Sequence, residues 1–526
     1  MRKIPTNLVP SPAKAELPLD LTGPHITAGA SSAHRLYQTL CEMIVGGLVK
    51  PGEPLPPSRT LAKQTGFRRN AVVTAYERLI ADGFAAATVG SGTFVAARIP
   101  ARAAEPKKPK TVVEAPRQGA FSLGCTHIDE RALQRFRAFL GRRMRAFGSE
   151  HLHYGDPRGS RELRAAIADH LLSARGLRCD PDQIMLTSGT LHALRIVLSA
   201  ILKPNDQVWC EDPGYPAARN TISHCGYRAV PVPVDEHGIR VAKGRTAASS
   251  ARAAYVTPSH QFPLGVQMSM PRRLELLDWA KQAGAFVLED DYDSEFRYDG
   301  APLMSLAGID HLQRVIYMGT FAKTLFPGLR IGYCALPERL IADVTAARAA
   351  LDRFPGTLME GAVADMLNSG AFAANLNRVR KLYREARDAL AETLETASDG
   401  ALSVPVPSQG LHLVARFDPS VELSAAAEAK QAAGAEGWLL ADTYSRARPL
   451  PGFVLGFSGH AVPQLVAPAE RLALESRGAL RARSKSAGPA GVTNVHYENR
   501  LPLPTLRHRC RDLTSCCCTA RPASRC

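Results

Sequence analysis

The chain has 526 residues, 45% of them hydrophobic, with a formal net charge of +16 and 11 cysteines. That length exceeds one ordinary core, so two or more domains are expected, and no apolar run reaches the roughly 18 residues needed to cross a bilayer. The start, MRKIPTNLVPSPAK, has basic residues but no apolar stretch behind them, which argues against a secretory signal, and the positive excess points to an anionic partner.

Residues 1–30 are rich in Pro, Ala and Gly without periodicity and read as a mobile N-terminus. Residues 31–98 form a separate basic unit, with eight Lys/Arg against four acids. Leu36, Leu40, Met43 and Ile44 recur at helical spacing between His34 and Val49. After the turn KPGEPLPPSR, a short helix over Ser58–Gln64 stops at Gly66. A second helix runs from about Arg68 to Asp82 and stops at Gly83. Phe84–Thr88 and Thr93–Ala96 flank VGSG as a hairpin.

Helix, short helix, turn, helix and hairpin is the layout of a winged helix-turn-helix, whose second helix enters the DNA major groove. Its first residues, Arg68, Arg69 and Asn70, are then candidate readers. Arg pairs with guanine, Asn with adenine, and all can hold phosphates. Arg59 on the short helix joins them as a DNA-contact candidate. Gly90 and Gly92 let the wing backbone approach the duplex closely. A small helical unit with a solvated basic helix is the competing reading.

Residues 99–118, with Pro100, Pro106, Pro109 and Pro116 and a lysine cluster, read as a semi-stiff linker. From 119 to 478 the pattern changes. Candidate strands Gln183–Thr187, Gln207–Glu211, Ala253–Thr257, Ala285–Glu289, Val315–Gly319 and Leu329–Ala335 alternate with helical patterns such as Arg161–Ala174, Leu191–Leu202 and Pro271–Ala283. This predicts an α/β domain with a largely parallel sheet. Long helices and then the short strands Leu411–Phe417 and Phe453–Phe457, between Pro337 and about Gly459, predict a smaller α+β lobe.

Two stretches carry chemistry. TFAKTLFPGLR places Lys323 in a small, hydroxylated loop after one apolar strand. AFVLED ends another strand in Asp290 and Asp291, followed by Tyr292. A lysine and an acid so placed are what pyridoxal phosphate needs. The amine condenses with the cofactor aldehyde, and the carboxylate keeps the pyridine nitrogen protonated so that the ring acts as an electron sink. Each alone reads more readily as a surface lysine or a solvated acid; their conjunction favours the cofactor.

The string LPPSRTLAKQTGFRRNAVVTAYERLIADGF…GSGTFV resembles the GntR winged-helix domain, with Pro57 where a capping serine is usual and Arg68 where serine is common. From about 119 to 475 the chain resembles the aminotransferase-like, fold-type I proteins that use pyridoxal phosphate, and among them the fused MocR or GabR-like regulators. The motifs are HYGDPRG, LTSGTLHAL, EDPGYP, PSHQFPLG, EDDYDSEFRYDG and TFAKTLFPGLR. The resemblance implies that Lys323 forms the Schiff base, Asp290 pairs with the pyridine nitrogen, Tyr292 reaches the ring hydroxyl and Tyr215 stacks on the ring. Ser188, Gly189 and Thr190 would hold the phosphate through backbone N–H groups at a helix start. Thr320 and Arg330 would complete the cup, and Tyr154 would reach the phosphate of a partner subunit. His260 and Gln261 fall near the ring hydroxyl, with an insertion leaving that alignment open. Relatives that grip a substrate carboxylate carry arginines where this chain has Ala217 and the strand FVLGF.

The expected protein is a cytoplasmic regulator, a head-to-tail homodimer that binds operator DNA and senses pyridoxal 5'-phosphate or a small amine. An aminotransferase with an accessory DNA-binding domain is the rival. Six scattered cysteines read as reduced, and no metal site is expected. Residues 479–526, with nine Lys/Arg, two acids and five cysteines, read as a disordered tail.

Overall fold

The structure, a computed structural model, describes residues 31–99, 119–149 and 153–486, which divide between one unit within 1–116 and another within 117–526. The expected mobile N-terminus 1–30, nearly all of the linker, and the tail beyond 486 lie outside the described residues.

The first unit contains helices α1 (Ser32–Val45), α2 (Ser58–Thr65) and α3 (Arg69–Ala81) and strands β1 (Ala85–Thr88) and β2 (Gly92–Val95). The apolar residues of α1 recur at three- and four-residue spacing, so Leu36, Leu40, Met43 and Ile44 share one buried face. They meet Leu61 of α2 and Val72, Ala75, Tyr76 and Leu79 of α3 in one core. Gly66 ends α2 at φ 71°, a left-handed conformation that costs glycine little. Pro57 stands at the N-cap of α2 without a side-chain hydrogen bond, as the departure at this position implied. The hairpin closes with Ala85 opposite Val95 and Thr88 opposite Gly92.

The second unit continues with α4 (Glu130–Arg145), α5 (Arg161–Arg175), β3 (Ile184–Thr187), α6 (Thr190–Ile201), β4 (Gln207–Asp212), α7 (Pro216–His224), β5 (Arg228–Asp235), β6 (Gly238–Ile239), α8 (Val241–Ala247), β7 (Ala253–Val256), α9 (Met270–Ala283), β8 (Phe286–Asp291), α10 (Leu306–Asp310), β9 (Val315–Thr320) and β10 (Gly332–Ala335). Eight strands form one sheet in the order β3-β10-β9-β8-β7-β4-β5-β6. Alternation along each strand sends side chains to opposite faces. Trp209 and Val287 join one core, where Trp209 stacks on Trp279 of α9 at 3.8 Å, whereas Cys210 and Leu288 join the other. The smaller lobe follows, with α11 (Ile341–Asp352), α12 (Glu360–Asn368), α13 (Ala371–Ser398), β11 (His412–Arg416), α14 (Leu423–Ala433), β12 (Trp438–Leu439), β13 (Gly452–Gly456) and α15 (Val462–Ser486). Its strands form an antiparallel sheet ordered β11-β13-β12.

Three details differ from the sequence reading. The large sheet is mixed: β10 runs antiparallel to both β3 and β9. Only one turn of 3-10 helix, Pro327–Leu329, interrupts the link from β9 to β10, which is too short for the helical crossover that parallel neighbours need. Strand β5, RAVPVPVD, escaped notice because prolines argue against a strand. Its residues Arg228–Pro233 pair with β4 on one side, but only Val234 and Asp235 pair with β6 on the other, so missing N–H groups are tolerated there. Finally, α15 continues to Ser486, past the domain boundary expected at 478.

Candidate functional site

In the first unit, Arg68, Arg69 and Asn70 lie exposed at the start of α3, and Arg59 is exposed on α2. No side chain caps α3 at Arg68, so the first N–H groups of this helix and three polar side chains emerge together. Gly90 and Gly92, at φ 80° and 111°, form the exposed wing tip. Tyr76, on the inner face of α3, donates to the Pro56 carbonyl at 2.7 Å and packs in the core.

The second unit has a cavity of about 280 Å³ at the carboxyl ends of β4, β7, β8 and β9. Parallel strands regularly open their ligand crevice at this edge. Lys323, Asp290, Tyr292, Tyr215, Gly189, Thr190, Thr320 and Arg330 all line it. They come from stretches more than a hundred residues apart, so only the sheet order unites them.

Asp290 is 4% exposed. Burial pushes its carboxyl up to about 7, against the lowering effect of a hydrogen bond from the Tyr255 hydroxyl. Tyr255 pairs with Leu288 across β7 and β8, so Asp290, two residues further on, lies on the same face as a diagonal neighbour. The other carboxylate oxygen of Asp290, Oδ1, is buried without a hydrogen-bond partner. A buried acceptor left unpaired is costly, so an N–H donor supplied by a ligand fits this position. A protonated pyridine nitrogen is such a donor.

Lys323 donates to the Gly124 carbonyl at 2.9 Å, and burial pulls its amine below the ordinary lysine range. Less protonation makes it a better nucleophile toward an aldehyde. The phosphate-type turn sits beside it. A Cβ built on Gly189 would lie 3.5 Å from the Arg330 guanidinium, so a bare glycine leaves backbone and cation facing the same space. Gly332 is required behind it, because a Cβ there would lie 2.8 Å from the Gly189 Cα. These features fit a phosphorylated pyridine aldehyde.

Two expected contributors are placed differently. The Ser188 N–H donates to His192 Nδ1 at 3.0 Å, and Ser188 lines a neighbouring cleft rather than the main cavity. Gln261 does not line the cavity. Its amide donates to the Pro213 and Phe262 carbonyls at 2.9 and 2.6 Å and so clamps the EDPGYP and PSHQFPLG loops together. Tyr154, expected at the phosphate of a partner subunit, is 79% exposed, packs edge-on against Phe354 and does not line its own chain's cavity.

The structure adds residues that the sequence reading missed. Asp212 accepts from the backbone N–H groups of Ser445, Arg446 and Ala447 at 2.7–2.8 Å, which ties the Tyr215 loop to the smaller lobe. His260, which the resemblance placed near the ring hydroxyl, meets Asp293 at 2.8 Å and lies 3.3 Å from the Tyr292 hydroxyl. Phe262, His412 and Trp438 complete the wall. His412 and Trp438 arrive from the smaller lobe, and no local spacing could have announced them.

A family model described as aminotransferase class I and II matches residues 125–449, and one described as bacterial regulatory proteins, gntR family, matches residues 32–95. The chain is 34% identical to a probable rhizopine catabolism regulatory protein, MocR, of Rhizobium meliloti, over 87% of this chain and 97% of the relative. It is 32% identical to the pyridoxine biosynthesis transcriptional regulator PdxR of Corynebacterium glutamicum, over 85% and 95%. Among solved structures, the Pyrococcus horikoshii kynurenine aminotransferase superposes with a TM-score of 0.63 at 25% identity, over 69% of this chain and 91% of that one. A multiple substrate aminotransferase from Thermococcus profundus, 23% identical, shares the fold over 70% and 93% with a TM-score of 0.63. With both halves matched in one order and nearly full-length relatives, the chain belongs to the gntR-family transcriptional regulators of the MocR/GabR-like branch, in which a helix-turn-helix domain precedes an aminotransferase-like domain.

Proposed function

We propose that this regulator holds pyridoxal 5'-phosphate in the cavity of its second unit and that occupancy, by the cofactor alone or with an amine effector, alters its binding to operator DNA. One observation carries the reading: Lys323 and the unpartnered Oδ1 of Asp290 belong to the same cavity. When bound, the cofactor contributes a reactive aldehyde and an electron-accepting ring. The chain's own residues hold it. Lys323 attaches to it, Asp290 accepts from its ring nitrogen, Tyr292 meets its ring hydroxyl and Tyr215 packs on its face. Gly189 and Thr190 offer backbone N–H groups at the start of α6, and Arg330 and Thr320 add charge and a hydroxyl.

The DNA contacts in this proposal are Arg59, Arg68, Arg69, Asn70 and the Gly90–Gly92 wing. The working form is a cytoplasmic head-to-tail homodimer, which suits paired half-sites and gives the exposed Tyr154 a partner's phosphate to reach. A ligand shifts DNA affinity only by binding two arrangements of the protein differently.

The test is to sequence the DNA fragments retained by purified protein with and without pyridoxal phosphate. A discrete operator whose affinity or footprint changes with cofactor or amine is expected, together with slow or absent transamination. Rapid multiple turnover with a keto acid, and DNA binding indifferent to cofactor, would favour an aminotransferase instead.

A further inference from the structure

We propose that the cavity selects a primary amine that carries an apolar or aromatic group and no carboxylate. The inference rests on reading this cavity as the effector site.

Charge is the first argument. Among the described residues lining the cavity, the only cationic side chains are Lys323 and Arg330. Arg330 faces Gly189 at the phosphate-type turn, and Lys323 is the attachment point. Both are therefore committed to the cofactor. Arg219, on α7, and Arg448, before β13, do not belong to the lining.

One side of the wall, away from the residues that hold the cofactor, is mostly apolar. Leu411 and Trp438, from the smaller lobe, share this stretch of lining with Leu123 and Phe262. Phe262 makes edge contacts with Trp438 at 5.8 Å and with Tyr215 at 5.5 Å. An aromatic or branched aliphatic group finds ring faces and edges here, where burial and offset ring contacts favour it.

His412 adds no charge to this wall. Burial pulls its imidazole down to about 3, so it stays neutral. Its Nε2 meets the Pro263 carbonyl at 2.9 Å. A carbonyl only accepts, so the hydrogen sits on Nε2 and Nδ1 keeps a bare lone pair. Acids stand close by as well. Asp290 lines the cavity, Glu211 accepts from the lining Thr257, and Asp293 holds His260. A ligand carboxylate brought here loses its water without meeting a counter-charge and faces the bare lone pair of His412.

The experiment uses full-length protein saturated with pyridoxal phosphate and three matched pairs: phenethylamine with phenylalanine, tyramine with tyrosine, and isoamylamine with leucine. The readouts are the concentration that half-changes the cofactor's visible band and the concentration that half-changes operator affinity. Each amine is expected to act at least 10-fold below its amino acid. Trp438→Arg and, separately, Leu123→Arg each supply a cation to the wall and should improve the amino acid at least 10-fold relative to its amine. Amino acids acting as well as their amines in the wild type overturn the inference, since a cation then reaches the cavity, for instance from the partner subunit. A normal band that no member of any pair changes also overturns it and leaves the cofactor reading intact. No visible band at saturating cofactor instead defeats the underlying reading.

Discussion

Lys323 Nζ donates to the carbonyl oxygen of Gly124 at 2.9 Å, joining the loop after β9 to a segment 199 positions earlier in the chain. Gly124 has φ 75°, and a Cβ there would collide with the lysine's end. The glycine therefore serves twice, as a left-handed turn and as the floor beneath the amine. Gly124→Ala should cost about 1–2 kcal/mol in strain and displace Lys323. The expected outcome is weaker cofactor loading with the fold retained, read by visible absorbance and thermal melting. Unchanged loading would mean that the lysine does not depend on this contact.

Lys323→Ala should abolish the visible band and leave a folded protein, because its amine is desolvated and makes one hydrogen bond rather than filling the core. Far-ultraviolet circular dichroism of the variant should match the wild type. Wild-type protein that shows no band at saturating cofactor contradicts the cofactor assignment outright.

Asp290→Asn separates stability from function. Burial raises the folded-state carboxyl to about 7, above its unfolded value, so the cofactor-free protein binds this proton more tightly when folded. Its contribution is present at acid pH and is lost as pH rises toward and through about 7. Without cofactor, the asparagine variant should therefore be the more stable protein at pH 8, by roughly 1–3 kcal/mol, and the difference should shrink toward pH 5. It should also bind pyridoxal phosphate much more weakly. Melting curves across that range check the sign, and a constant difference at every pH would show that Asp290 does not titrate as described.

Arg69→Ala tests the nucleic-acid face. If the exposed arginine pairs with a guanine, operator binding falls by about 1–3 kcal/mol while random DNA is less affected. Equal loss on both makes Arg69 a phosphate contact, and the salt slope then drops by about 0.9. No loss on either would remove α3 from the role of recognition helix.

Much of the architecture was legible in the chain itself. Leu36, Leu40 and Ile44 repeat with a helical period, and Gly66 and Gly83 punctuate the helices that follow, so the first unit's elements were readable locally. The apolar runs read as ending at Glu211, Glu289 and Gly319 marked buried strands with functional residues at or just beyond one end, and the strands end at Asp212, Asp291 and Thr320. Lys323 and Asp290 stood out because an acid and a lysine at the ends of such runs have a shared chemistry.

Other features depended on tertiary neighbours. The antiparallel β10 follows from the length of one loop, and β5 survives its prolines because of its place near the sheet edge. Ser188 and Gln261 carried the right residue types in the right motifs, yet folding commits their polar groups to His192 and to the Pro213 and Phe262 carbonyls. Sequence determined which elements form and which residues bear chemistry, because helical and strand periodicity and turn residues act over a few positions. The tertiary structure alone decided that Tyr255 reaches Asp290, that Gly124 sits under Lys323, and that His412 and Trp438 close the cavity. Those contacts arise from strand order and lobe packing, which bring together side chains that no local spacing connects.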